Sequence, residues 1–131
     1  MILNLEYKIP KEYKKSTNSI YSWVHFSIRR KISHYYHWLV FADCQELVSK
    51  FWQIQDKVNL NFKFYWKSRY LDSSNCSFIA KMIEDWLVRG WLIIEDNNKH
   101  IWKVSFESIL MNKKERKHLE FDKVEIFIEK E

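Results

Sequence analysis

The stretch from Asp72 to His100 reads DSSNCSFIAKMIEDWLVRGWLIIEDNNKH, and it decides the fold of this 131-residue chain. Its middle predicts an amphipathic helix, because apolar side chains recur there at i, i+3, i+4, i+7 and i+8. These side chains are Ile79, Met82, Ile83, Trp86 and Leu87. Gly90, the only glycine of the chain, is placed to end this helix as a left-handed C-cap.

Oxygen-bearing side chains flank this predicted helix at both ends. The residues before it are Asp72, Ser74 and Asn75, and the residues after it are Glu95, Asp96 and Asn97. A helix over residues 75–88 is roughly 20 Å long, and the extended run that follows returns about 16 Å. The two acidic ends are therefore expected to converge. Converging carboxylates raise one another's pKa, which Mg²⁺ or Mn²⁺ would relieve.

A structural role for the same charges is the alternative, since acids that flank a helix are common. Lys81, on the polar side of the helix, suits a phosphate contact. It also suits an ion pair with Asp85 four residues on, worth only a few tenths of a kcal/mol. A further alternative is that Glu84 and Asp85 are surface charges.

Outward from this stretch, four segments alternate apolar and polar residues with the period of a strand. They cover residues 2–9, 57–66, 100–110 and 123–129, with Trp102, Val104 and Phe106 expected to point inward. A helix is predicted to begin between Ser27 and Ser33 and to run to about Trp52. The order β-α-β-α-β-β over residues 1–131 predicts one domain of the two-layer α+β class with a four-stranded mixed sheet. The last two strands are expected to form an antiparallel hairpin.

Positive charge is concentrated in the first part of the chain. The formal net charge is +5, and residues 1–40 hold seven basic and two acidic residues, which is the whole surplus. This concentration favours contact with a polyanion such as DNA, although a solvated basic loop is an equal alternative.

Other classes are disfavoured by composition. No apolar run approaches the ~18 residues of a membrane span, and the first residues do not resemble a signal peptide. The two cysteines match neither a disulfide framework nor a metal-ligand spacing, which favours a cytoplasmic protein.

The stretch from Asp72 to Ile101 resembles the core of the RusA-like Holliday-junction resolvases, found in phages, prophages and bacteria. That family has Asp-x-Asp-Asn before a helix, a lysine in the helix, then Asp-x-Leu, a glycine, an apolar run and paired acids. The matching positions here are Asp72, Asn75, Lys81, Asp85-Trp86-Leu87, Gly90, residues 91–94 and Glu95-Asp96. Upstream, the first loop and helix of the family are matched by Asn18, Tyr21, His25 and Arg29.

The resemblance implies a homodimeric, magnesium-dependent crossover junction endodeoxyribonuclease. Asp72, Asp96 and Lys81 would be catalytic, and Asp72, Glu95 and Asp96 would hold the metal. The expected DNA contacts, from the resemblance and the basic segment together, are Lys14, Lys15, Asn18, Arg29, Arg30, Lys31, Asn75 and Lys81.

The chain departs from the family pattern at two positions. Ser74 stands where the family has a second aspartate, which removes one negative charge from the pocket. Glu95 stands for an aspartate and moves its carboxylate by one methylene. A junction-binding protein with weak or no cleavage is therefore the alternative function. A single-strand binder that stacks bases on the aromatic residues between Tyr21 and Tyr36 is a third.

Overall fold

The computed structural model describes residues 3–14, 26–67, 76–117 and 121–131. Its strands are β1 (Leu3–Ile9), β2 (Val58–Trp66), β3 (Ile101–Leu110) and β4 (Asp122–Lys130), and its long helices are α1 (Phe26–Phe51) and α2 (Ser77–Arg89). A 3-10 turn covers Lys11–Tyr13, and a short helix, α3, covers Lys113–Arg116. The predicted α+β class with a four-stranded mixed sheet is confirmed.

The strands lie in the order β1-β4-β2-β3. Strand β4 pairs antiparallel with both β1 and β2, whereas β2 and β3 are parallel. The predicted hairpin of the last two strands is therefore wrong. The connection through α2 returns the chain parallel to β2, as β-α-β crossovers do, and β4 then fills the space between β1 and β2. Alternation alone cannot distinguish these pairings, because it defines faces and not neighbours.

Strand β2 is the centre of the core. Its five alternate residues are completely buried: Val58, Leu60, Phe62, Phe64 and Trp66. Burial of such a side chain contributes roughly 1.5–3 kcal/mol. The same face of the sheet is extended by Val124, Ile126 and Ile128 from β4. Helix α2 adds Ile79, Ile83 and Leu87, as its spacing predicts.

Helix α1 covers the sheet with an apolar stripe. Ile32, Tyr36, Val40 and Cys44 are fully buried along it. Within the described ranges, no helix is both long and apolar enough to cross a membrane.

Trp102 does not point inward, contrary to the prediction. Ile101 pairs with Val58, but the next pair is Lys103 with Asn59, so Trp102 is an extra residue in β3. Such a bulge shifts the alternation by one residue. Trp102 is consequently 58% exposed, while Ile101 takes the inward position.

Gly90 is not the left-handed cap that the sequence predicts. Its φ is −82° and its ψ is 3°, and the left-handed residue is Trp91, with φ 69°. A Cβ on Gly90 would lie 2.7 Å from Cys44 Cβ and 2.9 Å from the carbonyl oxygen of Trp86. Glycine is needed here because α1 and α2 approach each other closely, and not because of its backbone freedom.

Candidate active site and nucleic-acid surface

The chain after α2 turns back beside the helix and carries Asp96 with it. The backbone N–H groups of Leu92 and Ile93 donate to the carbonyl of Leu87, at 3.1 and 3.2 Å. Both side chains are buried, and Ile93 forms a parallel bridge with Ile54. These contacts fix the path of the segment that leads to Asp96, and they place its carboxylate against the side of α2.

Lys81 and Asp96, two residues that the sequence predicts to be catalytic, are in direct contact. Lys81 Nζ lies 2.8 Å from Asp96 Oδ2 and 3.2 Å from Asp85 Oδ1. Lys81 therefore makes two ion pairs at the same time. One is the predicted i,i+4 pair with Asp85, and the other is a longer-range pair with Asp96. The hydrogen bond to Asp96 raises the pKa of Lys81, so this side chain is a permanent cation at neutral pH.

Glu84 joins this cluster, and its interpretation as a surface charge is wrong. Its side chain is only 7% exposed, and its carboxyl hydrogen-bonds to that of Asp96. Burial, followed by the contact with Asp96, raises the pKa of Glu84 to about 7. The hydrogen bond from Lys81 lowers the pKa of Asp96. The pKa values of the two carboxyls therefore differ, so that Glu84 favours the protonated form and Asp96 favours the ionised form.

A single signal in the sequence could have located Glu84. It follows Ala80 by four residues and precedes Leu87 by three, so it lies at the edge of the apolar stripe of α2. That position allows burial. The acid that Glu84 contacts, Asp96, lies on a different segment of the chain. Helical spacing alone does not report that neighbour.

The cluster borders a cavity of about 250 Å³. Its lining residues are Ser77, Phe78, Lys81, Glu84 and Phe106. A proton-bearing carboxyl and an ammonium thus face one cavity, with a carboxylate hydrogen-bonded to both. This arrangement can hold an anionic group through Lys81 and exchange a proton through Glu84.

Two of the oxygen donors that a hard divalent cation needs lie close together beside the cavity. The carboxyl oxygens of Glu84 and Asp96 are adjacent, and the proton of Glu84 is one that a cation could replace. Glu95 is not part of this cluster; it is exposed and accepts a hydrogen bond from the Asn97 side chain at 2.6 Å. Among the residues that the structure describes, no three His, Cys, Asp or Glu side chains are arranged to hold a metal.

Several predicted site residues fall outside the described residues. They are Asp72, Asn75, Lys15 and Asn18, together with Ser74. The candidate metal set therefore consists of Glu84 and Asp96 from the described chain, with Asp72 remaining a prediction.

Lys14 was predicted to contact DNA, but it has a structural position. Its side chain is 5% exposed, its Nζ lies 3.2 Å from Asp122 Oδ2, and it lies over the Trp66 ring at 4.7 Å. Because the ammonium is buried in this pair, we remove Lys14 from the predicted DNA surface.

The other predicted cations lie on the first turns of α1. Arg30 and Lys31 are exposed, and Arg29 is half-buried. Arg30 and Lys31 also border an open groove of about 330 Å³, which is lined by Tyr13, Arg30, Lys31, His34, Tyr35 and Trp38. Among the predicted DNA contacts that the structure describes, Arg30 and Lys31 thus lie exposed along one side of α1.

Two lysines on the open face of the sheet already have carboxylate partners. Lys123 lies 2.8 Å from Glu6 and 3.5 Å from Glu125, and Lys63 lies 3.9 Å from Glu107. Cations already matched by carboxylates attract phosphate weakly.

Comparison with models of protein families and with curated proteins finds no match to this chain.

Proposed function

We propose that this chain is a metal-dependent endodeoxyribonuclease that cuts four-way DNA junctions in recombination or repair, as its resemblance to the RusA-like resolvases implies. The observation that supports this most is the contact between Lys81 and Asp96 at 2.8 Å. These two residues come from separate segments, and the resemblance assigns both of them to catalysis. They meet beside a cavity that the buried Glu84 also lines. This contact supports the assignment.

Each side chain has a role in this proposal that follows from its charge state. Lys81 remains protonated and holds the phosphate next to the bond that is cut. Asp96 remains ionised and orients the attacking water or a cation. Glu84, whose pKa burial and the contact with Asp96 raise to about 7, is the second carboxyl that would hold a cation, and it would do so after losing its proton.

Glu84 and Asp96 would hold Mg²⁺ or Mn²⁺, with Asp72 as the third ligand that the resemblance implies. The bound cation would supply activation of water and stabilisation of charge on the phosphodiester. Glu84 and Asp96 would hold the cation as carboxylates, and Lys81, which now lies 2.8 Å from Asp96 Oδ2, would contact the phosphate of the substrate.

A junction-binding protein without cleavage is the second candidate, and one observation favours it. Lys81 already lies 2.8 Å from Asp96 and 3.2 Å from Asp85, so the lysine offsets the charge of both carboxylates. Ser74, in place of a family aspartate, also removes one negative charge from the proposed metal site. On this account the surface of α1 binds DNA and the acids are structural.

The remaining parts of the proposal are a homodimer and a phage or prophage origin. Two copies related by a two-fold axis would match the symmetry of a four-way junction and cut two strands.

Cleavage of a synthetic four-way junction separates the two candidates. The nuclease cuts the junction with Mg²⁺ or Mn²⁺ and stops when a chelator is added. The binding protein retains a band-shifted complex that a chelator does not change and that salt weakens steeply. A linear duplex of the same sequence controls for nonspecific cutting.

A further inference from the structure

An ordered stack of rings joins α1 to α2. His37 lies against Trp86, with ring centroids 3.7 Å apart and planes 5° apart. The guanidinium of Arg89 lies over the Trp86 ring, 5.0 Å from its centroid. Trp38 continues the stack on His37, at 5.2 Å and 11°. One face of the Trp38 ring is thus packed against His37, and yet the side chain is 68% exposed.

Trp38 also belongs to the groove along α1. The groove residues Arg30, Lys31, His34 and Trp38 repeat at three- and four-residue spacings, so they share one side of the helix. The distance along the axis from residue 30 to residue 38 is roughly 12 Å. An exposed flat ring therefore lies at one end of a short strip whose other end is cationic.

The charge of the strip indicates its partner. Arg30 and Lys31 line the groove, and its lining contains no Asp or Glu. Burial, and then the charge of Glu12, raise the pKa of Tyr35, which also lines the groove. Phosphates are expected where Arg30 and Lys31 lie.

We propose that Trp38 is a stacking platform for an unpaired nucleobase, with Arg30 and Lys31 binding the phosphates of the same single strand. Every base offers a flat face, so such a platform works without reading sequence. One face of the ring already packs against His37, and the exposed ring is available to a base. The inference rests on the proposed function only in taking nucleic acid as the polyanion.

The test uses fluorescence anisotropy with a labelled 12-nucleotide dT strand and an abasic strand of the same length, which keeps the phosphates but has no bases. Trp38→Ala should weaken binding of the dT strand by about fivefold or more, and Trp38→Phe should restore most of it. Wild type should bind the dT strand more tightly than the abasic strand, and Trp38→Ala should bind the two equally. Arg30→Gln and Lys31→Gln should weaken binding of both strands.

Trp91→Ala is the matched control, since Trp91 is 67% exposed and belongs to no ring stack or cation contact in the described part of the chain. Circular dichroism and thermal unfolding establish that all variants are folded. The inference is overturned if Trp38→Ala binds the dT strand as wild type does, if Trp91→Ala weakens it equally, or if wild type binds both strands equally. A Trp38→Ala variant that loses binding only to vesicles of phosphatidylserine also overturns it, in favour of a membrane surface.

Junction cleavage is measured separately, with Asp96→Asn as its inactive reference. Cleavage without any effect of Trp38 on the dT strand contradicts this inference alone. Binding of the dT strand that depends on Trp38, without junction cleavage, contradicts the proposed nuclease alone.

Discussion

The charge of Glu84 depends on its surroundings. Burial and the neighbouring Asp96 raise its pKa to about 7 from an ordinary value of 4.5. The folded protein therefore keeps the Glu84 proton in a range of pH where the unfolded chain has lost it. The free energy of unfolding consequently falls as pH rises from about 4.5 to about 7. Asp96, whose pKa is lowered, contributes stability above its ordinary pKa of 3.8 that is lost only in stronger acid.

Glu84→Gln should flatten this pH dependence. Glutamine keeps the shape and the hydrogen-bonding capacity of the protonated acid, but it never ionises. At pH 8 the variant should be more stable than wild type by about 1–2 kcal/mol, and at pH 5 the two should be close. Urea unfolding at several pH values measures the difference.

Glu95→Gln is the control for this prediction, because Glu95 is exposed and lies outside the cluster. Its variant should follow the pH dependence of wild type. If Glu84→Gln follows wild type as well, Glu84 is ionised in the folded protein and its place in the cluster is wrong.

Binding of Mn²⁺ should also depend on the proton of Glu84. A cation must replace that proton, so apparent affinity should rise between pH 6 and pH 8 and level off above the pKa. Titration of Mn²⁺ by electron paramagnetic resonance measures it, with Asp96→Asn as a variant that should bind far more weakly. An affinity that is the same at pH 6 and pH 8 would exclude Glu84 as a ligand.

At the scale of elements, the contact of α1 with α2 depends on the absence of a side chain at Gly90. A Cβ there would lie 2.7 Å from Cys44 Cβ and 2.9 Å from Cys44 Sγ. Gly90→Ala should therefore lower the free energy of unfolding by about 1–3 kcal/mol, the usual cost of overpacking. Thermal or urea unfolding tests this directly.

Gly90→Asn distinguishes this explanation from a left-handed cap. Asparagine tolerates the left-handed region, so it would be better than alanine if backbone conformation were the reason for glycine. Close packing instead predicts that asparagine, which is larger, is no better than alanine. Stability of the asparagine variant near that of wild type would contradict the packing account.

The elements themselves could be predicted from sequence, and their arrangement in part. The period of two in β2 and the apolar stripe of α2 report directly which faces are buried, because burial selects each side chain in turn. Pairing of β4 with β1 and β2 is absent from such patterns, since any two amphipathic strands satisfy them. The inward position of Ile101 also required the bulge at Trp102, which shifts the pattern by one residue.

The candidate site could be predicted only where its residues carry a motif. Asp96 and Lys81 were identified by spacing and resemblance, and they are in contact. Glu84 was missed because its burial depends on the return of a distant segment. Lys14 was misassigned because its burial by Trp66 and Asp122 is a tertiary effect that net charge does not report.

On the scale of the whole molecule, the distribution of charge decides where DNA would bind. Lys63 and Lys123 on the open face of the sheet are matched by carboxylates, as Lys123 is by Glu6. Arg30 and Lys31 on α1 lie exposed beside a groove whose lining contains no acid. These two cations are therefore available for phosphates along α1.

Arg30→Gln and Lys31→Gln should each weaken junction binding and reduce its salt dependence. Each cation that contacts a phosphate adds about one to the slope of log affinity against log salt, so each variant should lower the slope by about one. The slope is obtained by measuring the affinity for the junction at several salt concentrations between about 50 and about 200 mM.

Lys14→Met provides the contrast, since that ammonium is buried against Asp122. The variant should leave the salt slope unchanged and lower stability by about 1–3 kcal/mol, because Asp122 loses its ammonium partner and is left with the hydrogen bond from the Lys67 N–H. A variant of Lys14 that lowers the slope as Lys31→Gln does would return Lys14 to the DNA surface.

The most direct measurement of the central claim is cleavage of a four-way junction by wild type and Ser74→Asp in parallel, with Mg²⁺ or Mn²⁺ and under conditions in which the junction is bound. The account predicts that wild type cuts, that Ser74→Asp cuts faster because it restores a negative charge to the metal site, and that Asp96→Asn does not cut. A bound junction that neither wild type nor Ser74→Asp cuts would contradict it.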